Sequence, residues 1–318
     1  MRADPQALQR CLLQSGGDAL PLDPKCVYGR RAPLCVEIGF GSGEALAWLA
    51  GRHPERDYLG FELPPESIVR ACRALEHSGV SNVRVVRGDA RYLLGLLLPP
   101  RSVSRALMQF PMPWPKERHA KHRVASPQFA DALARVLAPG GRFELVTDQD
   151  WYAQDAARAF REHPAFAEPT AESDPNRPFR TRYERKWLEE GRMIYRVVAP
   201  LAADPPDPPA AQPVPVTMEN LRLENPPADA AVRALDGYTS RDGDLLVEVK
   251  RTWRGEAGWL LQVLAADGAF SQLFHLQLRL REDGATLLEV GLCPRPYWTA
   301  GVRHAVRAVG ARLRGIPA

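Results

Sequence analysis

Residues 34–43 read "LCVEIGFGSG": an apolar run holding one acid, Glu37, then glycines at 39, 41 and 43. The run predicts a buried strand, and the glycines predict a sharp turn into the amphipathic segment 44–52. Glycine suits such a turn because it reaches positive φ without strain and lets a ligand approach bare backbone. Outward from this unit the pattern repeats: YLGFEL precedes 66–77, VRVVRGD precedes 91–98, RALMQF precedes 127–137, and RFELVTD precedes 151–162. Strand followed by helix, five times over, requires right-handed crossovers. It predicts a doubly wound α/β domain whose parallel sheet is covered on both faces. Gly140 and Gly141 supply the stop between the fourth helix and the fifth strand.

Beyond a loop from Pro169 to Pro178, two apolar runs at 180–188 and 192–199 are separated by Glu189, Glu190 and Gly191. This spacing predicts a late antiparallel hairpin added to the parallel sheet. Residues 200–216, "PLAADPPDPPAAQPVPV", cannot build a core and read as a semi-rigid linker. Past them, LLVEVKRTW, GWLLQVLAA, FSQLFHLQLRL and TLLEVGL predict four strands, and 298–314 an Arg-bearing amphipathic helix. The expected division is a domain over 1–199, a linker over 200–216 and a small α+β domain over 217–318. A chain of 318 residues exceeds the usual size of one domain.

The 45% hydrophobic and 25% charged fractions are those of an ordinary soluble protein. No apolar run is long enough to span a bilayer, and the N-terminus lacks an apolar core with a small-residue cleavage site, so a cytoplasmic protein is expected. Five scattered cysteines without a C-x-x-C pair predict reduced thiols, with neither a disulfide framework nor a metal site. A net charge of +4 says little by total, so its distribution matters more. Lys116, Arg118, His119, Lys121, His122 and Arg123 crowd one loop, and Arg177, Arg180, Arg182, Arg185 and Lys186 extend the basic strip. Such a run suits phosphate contacts, the other reading being a solvated surface. Residues 215–318 carry 13 Arg and Lys against 12 Asp and Glu, so only the last helix, with Arg303, Arg307, Arg312 and Arg314, is basic on balance.

Glu37, Glu62 and Asp89 end the first three strands, at the crevice where open α/β sheets bind ligands. A carboxylate at 62 can accept ribose hydroxyls and one at 89 can face an adenine amino group; the alternative is three solvated strand-end acids. The dinucleotide fingerprint requires a further glycine three residues after the second, and position 44 is Glu44. A pocket of three acids repels a pyrophosphate and suits a cationic sulfonium and ammonium. The glycines with Glu37 match the first motif of class I methyltransferases, which use S-adenosylmethionine.

With the blocks "VEIGFGSG", "FPMPWPKERHAKHRV", "LVTDQDWYA" and "TRYE" in this order, residues 25–199 resemble the bacterial tRNA (guanine-N7)-methyltransferase family. The resemblance implies a Rossmann-like class I methyltransferase sheet. It also implies methyl transfer from S-adenosylmethionine to N7 of a guanine in tRNA, usually guanine 46 of the variable loop. By motif position it assigns Glu37, Gly39, Gly41, Glu62, Asp89 and Ala90 to the cofactor. It assigns Lys116, Asp148, Thr181, Arg182, Tyr183 and Glu184 to the substrate; Arg118, Lys121 and Arg123 are the phosphate candidates.

The chain departs from the family at Met112, where the resemblance implies an Asp acting as the catalytic acid. Guanine N7 is an unprotonated lone pair, so the reaction needs alignment at about 3–3.5 Å more than a base. A lost carboxylate worth about 1.5–3 kcal/mol lowers the rate roughly ten- to hundredfold unless Asp148 or Glu184 substitutes. Three readings follow: an active tRNA guanine-N7 methyltransferase whose C-terminal domain grips tRNA, a methyltransferase for another RNA base, or a catalytically silent tRNA-binding protein.

Overall fold

The structure is a computed structural model of the 318-residue chain and describes residues 5–13, 20–113, 123, 126–203, 205–206, 220–291 and 295–315. It forms two compact units. The first begins with α1 (Pro5–Cys11) and α2 (Pro24–Tyr28). It then alternates β1 (Leu34–Ile38), α3 (Glu44–Arg52), β2 (Asp57–Glu62), α4 (Pro65–His77), β3 (Val83–Arg87) and α5 (Ala90–Leu97). It continues through β4 (Val103–Gln109), α6 (Pro127–Val136), β5 (Leu137–Thr147) and α7 (Asp150–Arg161). It closes with β6 (Thr170–Ser173), α8 (Arg182–Glu189) and β7 (Tyr195–Pro200). The sheet order is β3-β2-β1-β4-β5-β7-β6, with β1 to β5 parallel and β7 antiparallel to both β5 and β6.

Every residue of β1 is buried, as expected of a central strand covered on both faces. Phe129 of α6 meets Phe143 of β5 edge-on at 5.6 Å, and Phe143 meets Phe160 of α7 at 5.0 Å. Burying each such ring is worth about 1.5–3 kcal/mol, and together they fix β5 against its two helices. The carboxyl ends of β1, β2, β3, β4 and β5 therefore share one edge.

The late antiparallel strand is β7, but its hairpin-like partner is β6 rather than residues 180–188. That segment contains α8, whose entry is fixed by a capping box: Thr181 accepts from the Glu184 backbone, and the Glu184 carboxylate accepts from the Thr181 backbone. Two orphan donors satisfied reciprocally favour a helix over the strand that the spacing of the two runs suggested.

The second unit holds β8 (Leu221–Leu223), α9 (Asp229–Arg233), β9 (Thr239–Asp242), β10 (Leu245–Gly255), β11 (Gly258–Asp267), β12 (Phe270–Leu280), β13 (Thr286–Val290) and α10 (Ala300–Leu313). Its sheet runs β8-β13-β12-β11-β10-β9, six strands where four were expected; the two additions are short edge strands of three and four residues. Val247, Leu261, Val263, Phe274 and Leu276 form its core with Val302, Val306 and Val309 of α10.

Candidate active site

At the shared edge, the turn after β1 runs through Gly39 at φ 72° and Gly41 at φ 58°. A methyl group built on either glycine would meet nothing within 4 Å, so the turn offers bare backbone to open space. Gly43, at φ 80°, differs: an added Cβ would stand 2.8 Å from that of Ala71, so this glycine lets α3 close on α4. Glu62 pins the turn, its Oε2 accepting the Gly41 N–H at 2.8 Å while Oε1 accepts that of Leu63 at 2.9 Å. A carboxylate has about four acceptor positions, which leaves capacity for a ligand. Asp89 is the N-cap of α5; its Oδ1 accepts the Arg91 backbone N–H at 3.0 Å, and the Arg91 guanidinium pairs with the same carboxylate. Ala90 is buried at the first position of that helix.

Glu37 is buried at the end of β1, with Oε1 accepting from Gln109 Nε2 of β4 at 2.9 Å. Its second oxygen has no hydrogen-bond partner among the described residues. Burial pushes the carboxyl up to about 7, although the Gln109 hydrogen bond and the Arg177 and Arg105 charges oppose the shift. The chain of contacts continues: Arg177 donates to the Gln109 carbonyl with one nitrogen and to Glu184 with another. Glu184 is 1% exposed. A continuous polar line therefore joins the strand-end acid Glu37 to the cap of α8. Arg177, expected in the basic strip, points inward instead.

A second tie joins the two regions: Glu44 Oε2, one residue past the glycine turn, accepts the Arg182 N–H at 3.1 Å. Nearby, Phe110 takes φ 51°, donates its N–H to Val146 O at 2.7 Å, and packs edge-on against Trp187 at 4.9 Å. This turn releases the chain from β4 toward Met112, which is 67% exposed. Tyr183 is also exposed, with its ring 6.2 Å from Trp187. Asp148 is held by Arg192 at 3.0 Å and by Gln149 at 2.9 Å. Both acids considered as substitutes for the family Asp, Asp148 and Glu184, are thus already ion-paired. Arg123 pairs with Asp155 at 3.5 Å and lies over the Trp151 ring at 5.0 Å. Lys116, Arg118 and Lys121 lie outside the described residues.

Under this edge, a cavity of about 280 Å³ is walled by Trp48, Phe179, Arg105, Glu144, Gln109 and Arg177, among others. Trp48 and Phe179 stack at 5.2 Å, tying α3 to the loop before α8. Glu144, 1% exposed, receives Arg105 at 2.8 Å, Arg142 at 2.8 Å and Arg196 at 3.1 Å. Sequence reading missed Gln109, Glu44 and Glu144, and gave Arg177 only a place in the basic strip. Their partners are distant in the chain, and none sits in a glycine-rich or strand-end acid pattern except Glu44, which was read only for not being glycine.

Among the described residues the edge thus presents acids and open backbone, an arrangement suited to a cationic ligand. Residues 31–197 match the family described as "Putative methyltransferase". The tRNA (guanine-N(7)-)-methyltransferase of Thermotoga maritima is 35% identical over 294 residues, 92% of this chain and 93% of that protein. Proteins of the same description from Cutibacterium acnes and Nitrosococcus oceani are 42% and 37% identical, each over 55% of this chain and over 65% and 74% of their own lengths. The similarity to the Thermotoga maritima protein therefore extends into the second unit. With a relative this similar over nearly its whole length, the chain belongs to the tRNA (guanine-N7)-methyltransferase family.

Proposed function

We propose that this protein transfers a methyl group from S-adenosylmethionine to N7 of a guanine in tRNA, guanine 46 of the variable loop. The observation that carries the reading is Oε2 of Glu37, which has no hydrogen-bond partner among the described residues and is buried two residues before an open glycine turn. A buried carboxylate oxygen without a donor is costly, and a ligand bearing an ammonium group supplies what it lacks. The cofactor's residues are Glu37, Gly39, Gly41, Glu62, Asp89 and Ala90, within a catalytic domain of residues 1–199. The guanine's residues are Lys116, Asp148 and Thr181 to Glu184.

When bound, S-adenosylmethionine supplies an electrophilic methyl group on a sulfonium. Guanine N7 carries a free lone pair at neutral pH, so no side chain has to remove a proton. With both ligands bound, the N–C bond would form as the C–S bond breaks, and the positive charge would pass from sulfur to the base. The work left to the protein is alignment, which is worth several kcal/mol in a well-oriented site. Asp148 and the capped start of α8 are anchored by Arg192 and Arg177, which suits holding a base in one pose.

Met112 favours one second reading, a silent tRNA-binding protein. Incubation with labelled S-adenosylmethionine and an unmodified tRNA transcript separates the two. The proposal expects 7-methylguanosine, lost when guanine 46 is replaced by adenine; tRNA binding with no product favours the silent protein.

A further inference from the structure

The sequence places the basic residues of the second unit on its last helix, but α10 spends its apolar face on one side of the sheet. Arg312 lies over the Tyr238 ring at 5.9 Å and Arg314 donates to Arg222 O at 2.7 Å. Among the described residues, no helix of this unit covers the opposite face of the sheet.

That face is set by a bulge in β10. Val247 and Val249 point into the core; unbroken alternation would send Arg251 and Trp253 inward as well. The register shifts between Val249 and Arg251, so that Arg251 pairs with Gln262 and Trp253 with Leu260, both outside the alternating core positions Leu261 and Val263. Bulges re-aim side chains in this way. Strand pairing then places Arg251, Gln262 and His275 in one row, and Trp253, Leu260 and Gln277 in the next.

The Trp253 ring is 41% exposed and meets the His275 ring at 6.5 Å and 60°. Arg251 is exposed and has no carboxylate partner among the described residues, as is also true of Arg241 on the same face. The acid Glu248 is matched by Lys250 and Glu289 by Arg279. The uncompensated charge of the face is positive.

We propose that this face, centred on Trp253 and His275, binds unpaired nucleotides of tRNA. The inference rests on the tRNA reading above and gives the second unit its part in it. Exposed rings on a flat sheet stack bases, amides such as those of Gln262 and Gln277 pair with base edges, and guanidinium groups neutralise phosphates. A protein partner is the other occupant such a face could take, since Trp and Arg also enrich interfaces; the amides of Gln262 and Gln277 and the Arg251 charge in the rows around Trp253 favour the nucleic acid.

The test uses the full chain and fluorescently labelled tRNA. Trp253→Ala is expected to raise the tRNA Kd about tenfold, the effect of losing one base–aromatic stack. Trp253→Phe keeps a ring and stays within about threefold of the parent. In methylation assays Trp253→Ala raises KM for tRNA while kcat at saturating tRNA and the affinity for S-adenosylhomocysteine are unchanged. Arg251→Gln, which leaves the ring in place, weakens binding and flattens its salt dependence. A tRNA Kd for Trp253→Ala within twofold of wild type overturns the proposal, as does a change confined to self-association in sedimentation. A wild-type protein that binds tRNA through Trp253 yet makes no 7-methylguanosine would instead overturn the catalytic reading alone.

Discussion

The side-chain amide of Gln109 donates to Glu37 at 2.9 Å while its carbonyl accepts from Arg177, so one neutral residue at the end of β4 bridges a buried acid and a partly buried cation. An apolar side chain at 109 leaves both Glu37 oxygens without a donor among the described residues. Gln109→Leu is therefore expected to cost about 1–3 kcal/mol of stability and to weaken cofactor binding. Urea denaturation with and without S-adenosylhomocysteine measures both; an unchanged midpoint contradicts the bridge.

The Glu37 carboxyl is raised by burial from 4.5 to about 7. A raised carboxyl gives stability that is complete below its unfolded value and lost as pH climbs through its folded value, here between 4.5 and about 7. Glu37→Gln is accordingly expected to be more stable than wild type at pH 8 and to lose that advantage toward pH 4.5 in the ligand-free protein. A ligand ammonium favours the ionised form, so wild-type affinity for S-adenosylhomocysteine should rise with pH across the same window. Calorimetry on both proteins checks the slope.

Glu144 shows the opposite sign. Burial alone would raise its carboxyl, but Arg105, then Arg142 and Arg196, hold it down at about 2. The stability it contributes is complete above the unfolded value of 4.5 and is lost as pH falls through about 2. Glu144→Gln removes the carboxylate shared by three arginines, of which Arg196 keeps Glu172, and should cost about 3 kcal/mol at pH 7, with the gap to wild type closing as the solution is acidified. Thermal melts across that range test it.

Met112→Asp restores a carboxylate at an exposed site on the chain leaving β4. Because N7 needs no deprotonation, wild type is expected to be active and the variant faster by about tenfold, the rate equivalent of one charged hydrogen bond. Single-turnover methylation measures the ratio.

Much of the first unit was legible because its signals are local. The glycines after β1 and the acids ending three strands occupy fixed places in a strand–turn–helix repeat, and the structure brings them to one edge. The helix α8 was misread because two runs parted by Glu189, Glu190 and Gly191 have the spacing of a hairpin, although Thr181 and Glu184 already carried the capping-box spacing. The partner strand β6 is exposed at all four positions, so no hydrophobic pattern marked it. The Gln109–Arg177–Glu184 line was not legible, since its members come from β4, a loop and α8 and meet only after folding. The outward turn of Trp253 depends on a bulge, which alternation alone cannot place.

The account is tested most directly by incubating the purified full chain with methyl-labelled S-adenosylmethionine and unmodified tRNA, then digesting to nucleosides. It predicts label in 7-methylguanosine at position 46. Cofactor and tRNA binding without label in any nucleoside would contradict it.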